Sequence, residues 1–218
     1  NAVDAAVVAG FVLAVVQPRS GNIGGGGFML LAPGDGSPVT SIDYRETAPA
    51  GATRTMFQDN EGNVVAERSR FSHLASGVPG TVAGFALALE QHGTLSLAEA
   101  LAPAIRLAEA GFVVPYRFSE GLTQARDRLK RWPETARVYY KANGEAWQAG
   151  ELFRQPDLAA TLTRIARHGA AEFYSGETAR RIAREMARHG GLITLEDLQA
   201  YRPVVREPVN GRYRDYDI

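Results

Sequence analysis

A chain of 218 residues, 45% hydrophobic and 22% charged, has the composition of an ordinary globular protein with length for one large domain or two small ones, which argues against a disordered chain. Lysine plus arginine and aspartate plus glutamate balance at 24 each, and without a basic excess nucleic acid is a poor candidate partner. Zero cysteines exclude disulfides, thiolate metal sites and a cysteine nucleophile, and leave the compartment open.

The sequence opens on Asn1 inside the apolar run Ala2 to Val16, in which Asp4 is the only charged residue. That run is shorter than the about 20 residues a membrane span needs. It also lacks the basic leader and small-residue cleavage site of a secretory signal. Apolar all round, it reads as a helix enclosed by other layers and ended by Gln17-Pro18. The other end, Tyr213 to Ile218, reads as a strand stopped midway after an Asn210-Gly211 turn. The expectation is a single partial domain over 1–218, a piece of a longer polypeptide.

After the first helix comes Gly21-Asn22-Ile23-Gly24-Gly25-Gly26-Gly27-Phe28, leading into the strand candidate Phe28 to Ala32. A second strand candidate, Val39 to Tyr44, follows the turn-rich link Pro33 to Pro38, and the two suit a hairpin. Glycines forfeit much backbone entropy on ordering, so four in a row need compensation by positive φ, by a close neighbouring backbone or by a close ligand. The phosphate-loop and dinucleotide readings fail, because no Gly-Lys-Ser/Thr follows and the run enters a strand instead of opening a helix. What remains is a close passage beside a sheet, a helix or a substrate. Alternation along the second strand puts Ser41, Asp43 and Arg45 on one face and Thr40, Ile42 and Tyr44 on the other. Asp43 is then placed to pair with Arg45 at the strand end, a structural alternative to a functional arginine.

From Pro79 the pattern turns helical. Thr81 to Gln91 forms one helix, Ser96-Leu97-Ala98-Glu99 is a capping box opening the next, Pro103 is expected to kink or restart it, and Gly111 closes it. Arg117 to Gly150 reads as irregular, with one short helix and an Asn143-Gly144 turn. Pro156 to His168 and Thr178 to His189 are amphipathic helices, and Thr194-Leu195-Glu196-Asp197 caps a short one that stops before Pro203.

Other chemical-looking groups have plain explanations. His92-Gly93, His168-Gly169 and His189-Gly190 each fit a helix C-terminus, with a cation in the last turn and a left-handed glycine after it. No His-x-x-x-His spacing exists for a metal, and His73 is a lone polar loop residue. Arg180, Arg181, Arg184 and Arg188 share a helix with Glu177 and Glu185, which lie four residues either side of Arg181 and suggest local pairs on a solvated face. Tyr139, Tyr140 and Trp147 read as packing, and no Gly-x-Ser-x-Gly nucleophile elbow is present.

Asn1-Ala2-Val3-Asp4-Ala5-Ala6, the glycine run, and Ile42-Asp43-Tyr44-Arg45-Glu46-Thr47-Ala48-Pro49 together resemble the large subunit of gamma-glutamyltranspeptidases. Ala75 to Gly84, Ala110-Gly111-Phe112 and Gly190 to Leu198 continue the resemblance over essentially the whole chain. It implies an α+β fold: the four-layer α/β/β/α sandwich of N-terminal nucleophile hydrolases, cut by its own action into a large and a small subunit. This chain then supplies large-subunit helices and some strands. The family's nucleophile is a threonine at the new N-terminus of the small subunit. No residue here matches its motif, so no catalytic residue is assigned in this chain.

The role that transfers falls on Arg45, which matches the arginine holding the α-carboxylate of the γ-glutamyl group; Asp43 and Glu46 are conjectured from adjacency to orient it. The resemblance further implies glutathione or a similar γ-glutamyl donor, a small-subunit partner, no metal or organic cofactor, and a periplasmic or extracellular location. Two alternatives stay open: a cephalosporin or glutaryl acylase-like or capsule-processing relative on the same scaffold, and a non-catalytic fragment.

Overall fold

A computed structural model describes residues 1–217. The first helix, α1 (Ala2–Val16), begins where the Asn1 side chain accepts the Asp4 N–H at 3.0 Å, a cap that satisfies an otherwise unpaired donor of the first turn. It buries Val7, Phe11, Ala14 and Val15 on one stripe. Ala5, Ala9 and Leu13 are left exposed, so the described residues cover the helix on one side only. The open face carries small alanines, whose composition alone does not reveal which side packs.

The hairpin forms as expected, with slightly shorter strands: β1 (Phe28–Leu31) pairs antiparallel with β2 (Thr40–Asp43) in the register Met29 to Ile42. Alternation holds, since Ile42 and Tyr44 are buried while Arg45 is exposed. Beyond β2 come α2 (Ala66–Phe71), absent from the sequence reading, and a 3-10 turn, His73–Ala75. Next are α3 (Thr81–His92) and α4 (Leu97–Ala110), the latter opened by the predicted capping box, in which Ser96 Oγ accepts the Glu99 N–H at 3.2 Å. Pro103 neither restarts nor splits α4. The proline removes one helical donor, but Ala100, Leu101, Ala104 and Ala108 around it are fully buried and hold the helix together.

The stretch expected to be irregular is largely helical. The two-residue strand β3 (Phe112–Val113) is followed by α5 (Tyr116–Gln124), α6 (Arg126–Leu129) and α7 (Pro133–Tyr139), the Asn143-Gly144 turn, and β4 (Leu152–Phe153), which pairs with β3. Phe153 is the hub of this region, with the rings of Phe112, Phe118, Tyr139 and Trp147 at centroid distances of 5.5 to 6.0 Å. The packing expected of the aromatic set is therefore observed, and Tyr140 adds a hydrogen bond from its hydroxyl to the Leu122 carbonyl at 2.6 Å.

The predicted helices α8 (Pro156–His168) and α10 (Glu177–Arg188) are separated by α9 (Ala171–Ser175), and α11 (Leu195–Ala200) carries its Thr194–Asp197 capping box. A third strand that the sequence reading omits, β5 (Val204–Arg206), joins β2 antiparallel, giving the order β1-β2-β5. Near the end β6 (Arg212–Tyr213) and β7 (Tyr216–Asp217) form a hairpin turning at Arg214 (φ 56°), so the expected single strand from Tyr213 is instead a turn between two short ones; its last residue, Ile218, lies outside the described residues. Helices α1, α3, α4 and α8 pack into one core, and α3 lies against the β2 strand through Tyr44, whose ring occupies the space a side chain at Gly84 would need.

Three details of the helix ends differ from expectation. Gly169 and Gly190 are left-handed, with φ of +76° and +70°, but Gly93 is not: its φ is −86°. Glu185 faces His189 at 3.3 Å and His73 at 3.8 Å instead of Arg181, while Glu177 accepts from Arg180, Arg181 and Arg184. His73 stacks on His189 with ring centroids 4.8 Å apart, so it is packed and not merely a polar loop residue.

Candidate functional site

The glycine run resolves its entropic cost by close backbone passage, because no glycine in it has positive φ. A Cβ on Gly26 would lie 2.4 Å from the Tyr44 carbonyl oxygen and 2.9 Å from the Arg45 Cα, contacts no side chain can make. Just beyond, Gly27 extends the hairpin ladder: the Tyr44 N–H donates to the Gly27 carbonyl at 2.9 Å. The Gly25 carbonyl accepts the N–H groups of Gly80 and Thr81, at 2.7 and 3.0 Å, and so satisfies two donors at the start of α3. Three remote segments around residues 25, 45 and 80 thus meet at one point.

Arg45 leaves this junction immediately after β2. Its backbone is fixed on the amide side by Asp43, whose Oδ1 accepts the Arg45 N–H at 3.0 Å. Asp43 Oδ2 accepts from Arg206 Nε at 2.8 Å. These donors hold the Asp43 carboxyl below the usual carboxylate range, the Arg45 backbone N–H contributing most and the Arg206 guanidinium next. The expected pair between the side chains of Asp43 and Arg45 is therefore not formed: a guanidinium from β5, invisible to local spacing, occupies the carboxylate. Glu46, conjectured to orient Arg45, makes no hydrogen bond to it; its Cβ lies over Gly77. The next residue, Thr47, bridges to Val78 by two backbone hydrogen bonds, at 2.8 and 3.3 Å.

Among the described residues the Arg45 guanidinium has no hydrogen-bond or ion-pair partner, and it borders an open cleft of about 460 Å³. Gly24, Glu46 and Ser76 line one part of that cleft, and Met56, Phe57 and Leu74 supply an apolar wall. Unlike Gly26, Gly24 has open space where a side chain would point, the nearest atom being Asn22 Oδ1 at 3.9 Å. A larger cavity of about 570 Å³ lies elsewhere, between Arg19 and α5, over Phe118 and Leu122. It contains no part of the Arg45 junction, so size alone does not locate the site. The Arg45 cleft offers one unpaired cation in a fork geometry and backbone held on both sides, an arrangement suited to gripping a carboxylate. No group of three histidine, aspartate or glutamate side chains among the described residues could hold a metal ion.

The whole chain, residues 1–218, matches the sequence model of the family described as Gamma-glutamyltranspeptidase. This chain belongs to the gamma-glutamyltranspeptidase family. It is 47% identical over 218 residues to the glutathione hydrolase proenzyme of Escherichia coli K12, covering 100% of this chain and 37% of the relative. In three dimensions it matches the gamma-glutamyltranspeptidase of Helicobacter pylori with a TM-score of 0.97 at 46% identity, covering 62% of that chain. The enzyme of Pseudomonas nitroreducens, solved with L-DON, matches with a TM-score of 0.92 at 40% identity over 63% of its chain. The mixed helix and sheet fold of N-terminal nucleophile hydrolases, expected from the motifs, is the one these family members share. The chain spans little more than a third of the curated relative, which agrees with a large-subunit portion. Two features of the site escape sequence reasoning: the Asp43–Arg206 link, and Tyr201, which meets the Arg45 carbonyl from α11. Neither has a local signature, since each joins residues more than 150 positions apart.

Proposed function

We propose that this chain is the part of a gamma-glutamyltranspeptidase that holds the α-carboxylate of the γ-glutamyl donor, with Arg45 as its ligand. The observation that carries this reading is the exposed Arg45 guanidinium at the cleft mouth, without a hydrogen-bond or ion-pair partner among the described residues, while the neighbouring Asp43 accepts from Arg206 and from the Arg45 N–H. Two parallel, charge-assisted hydrogen bonds to a carboxylate would contribute about 1.5 to 3 kcal/mol each.

In the complete enzyme a threonine of the small subunit attacks the γ-amide carbonyl of glutathione or a related compound, its hydroxyl proton passing to its own α-amino group. The γ-glutamyl ester forms as the amine leaves with a proton. Water then returns glutamate, while an amino acid or peptide amine gives a new γ-glutamyl amide. The small subunit comes from the same precursor. A periplasmic or extracellular location follows from family likeness; among the described residues no helix is long and apolar enough to cross a membrane.

The test uses the full precursor carrying this segment, matured into its two subunits. Arg45→Lys keeps the charge and removes the fork, so KM for a γ-glutamyl anilide rises at least tenfold while self-cleavage proceeds. An unchanged KM removes Arg45 from the site. Comparing glutathione with a glutaryl amide, which keeps the terminal carboxylate and lacks only the α-amino group, separates this reading from an acylase-like donor preference.

A further inference from the structure

The main chain of Arg45 is held from its carbonyl side by a residue 156 positions away. Tyr201, which ends α11 and is 5% exposed, donates its phenol hydrogen to the Arg45 carbonyl oxygen at 2.9 Å. Its ring lies flat on that of Tyr174, with centroids 5.6 Å apart and planes inclined by 10°. Tyr174 is itself immobilised, donating to the Pro79 carbonyl at 3.0 Å and accepting the Ala83 N–H at 3.1 Å. Space for the Tyr201 hydroxyl exists because residue 80 is glycine: a Cβ there would fall 2.1 Å from the hydroxyl oxygen and 2.0 Å from the Tyr44 carbonyl.

The peptide planes on both sides of Arg45 are thus anchored, one by Asp43 through the Arg45 N–H and one by Tyr201 through the carbonyl. A long side chain magnifies any rotation of its own backbone, and a misplacement of about 1 Å at a substrate ligand can cost up to about a hundredfold. We propose that Tyr201 is a positioning residue for the γ-glutamyl donor, acting through the Arg45 carbonyl to set the direction in which the guanidinium enters the cleft. This rests on the reading of Arg45 as the carboxylate ligand. Tyr201 touches no substrate and takes no part in proton transfer.

The experiment uses the matured two-subunit enzyme with γ-glutamyl-p-nitroanilide as donor and glycylglycine as acceptor. Tyr201→Phe keeps the ring and its stack on Tyr174 and removes the donor, so KM for the anilide rises about three- to tenfold, in line with one neutral hydrogen bond, while kcat and the acceptor KM stay within about twofold. With 4-aminophenylalanine placed at position 201 a ring donor returns and KM falls back toward the parent value. In an Arg45→Lys background Tyr201→Phe adds no further increase, because the fork it aims is gone; a merely structural role would multiply the two effects. An unchanged KM in Tyr201→Phe, a multiplicative double variant, no recovery with the amino analogue, or failure of the Phe variant to mature overturns the proposal. If Arg45→Lys raises KM and Tyr201→Phe does not, only the role of Tyr201 falls. If Arg45→Lys leaves KM unchanged, the underlying reading falls as well.

Discussion

Arg206 reaches from β5 across to β2 and donates through Nε to Asp43 Oδ2 at 2.8 Å, a diagonal contact on the same sheet face as Ser41. It takes up the Asp43 carboxylate that strand alternation would otherwise offer to Arg45. Arg206→Ala frees that oxygen to draw the Arg45 guanidinium back against the sheet. Donor KM is then expected to rise about three- to tenfold with kcat little changed. Steady-state kinetics of the matured enzyme decide it, and an unaltered donor KM shows that Asp43 does not compete.

The glycine run contains positions of opposite tolerance. At Gly26 an added methyl meets the Tyr44 carbonyl at 2.4 Å, and neither backbone can yield without breaking the hairpin ladder. Gly26→Ala should therefore leave little folded, self-cleaved enzyme, whereas Gly24→Ala, with no atom closer than 3.9 Å, should mature at the parent yield. Gel analysis of precursor and subunits compares the two. Equal maturation of both variants would refute close passage as the reason for the glycines.

Phe153, fully buried at the centre of four other rings, governs the region from α5 to α7. Phe153→Ala is expected to destabilise it by about 3 to 5 kcal/mol, with hydrogen exchange accelerating over residues 116–140. Donor KM should not move, since none of these rings lines the Arg45 cleft. Exchange that accelerates evenly over the whole chain would show that the region is not a separate unit.

Burial first, then the charges of Asp43 and Glu46, push the Tyr201 phenol up to about 12 from an ordinary value of 10.0. Tyr44 and Tyr174 shift the same way, mainly through burial. A folded value above the unfolded one means that the neutral phenol favours folding: its contribution is complete below pH 10 and is lost as pH rises from 10 to 12. The melting-temperature gap between parent and Tyr201→Phe should stay constant up to pH 10 and close above it. A gap that already narrows between pH 8 and 9 would contradict an anchored, neutral Tyr201.

What the sequence disclosed was local. The capping boxes at Ser96–Glu99 and Thr194–Asp197, the hairpin around Pro33 to Pro38, and the solvated Glu177 cluster all rest on residues within a few positions of one another. Of the three helices α5 to α7 the sequence announces only one short helix, because they are short and lean on Phe153, whose ring is supplied from β4. Strand β5 has three residues and finds its partner more than 160 positions earlier, so no pattern within it announces a sheet. Arg45 stood out only through the family resemblance; from alternation alone it was as well explained by Asp43, and Arg206 is what removes that explanation.

The fit of Gly80 beneath Tyr201 and Tyr44 carries a consequence for how this family can drift over evolutionary time. A side chain at 80 would meet the Tyr44 carbonyl at 2.0 Å as well as the Tyr201 hydroxyl at 2.1 Å, so shrinking the ring at 201 does not by itself make room for it. Position 201 is therefore free to change while 80 stays glycine, but a lineage that gives up the Tyr201 hydroxyl surrenders the tether on the Arg45 carbonyl, and a changed donor preference would be the trace it leaves.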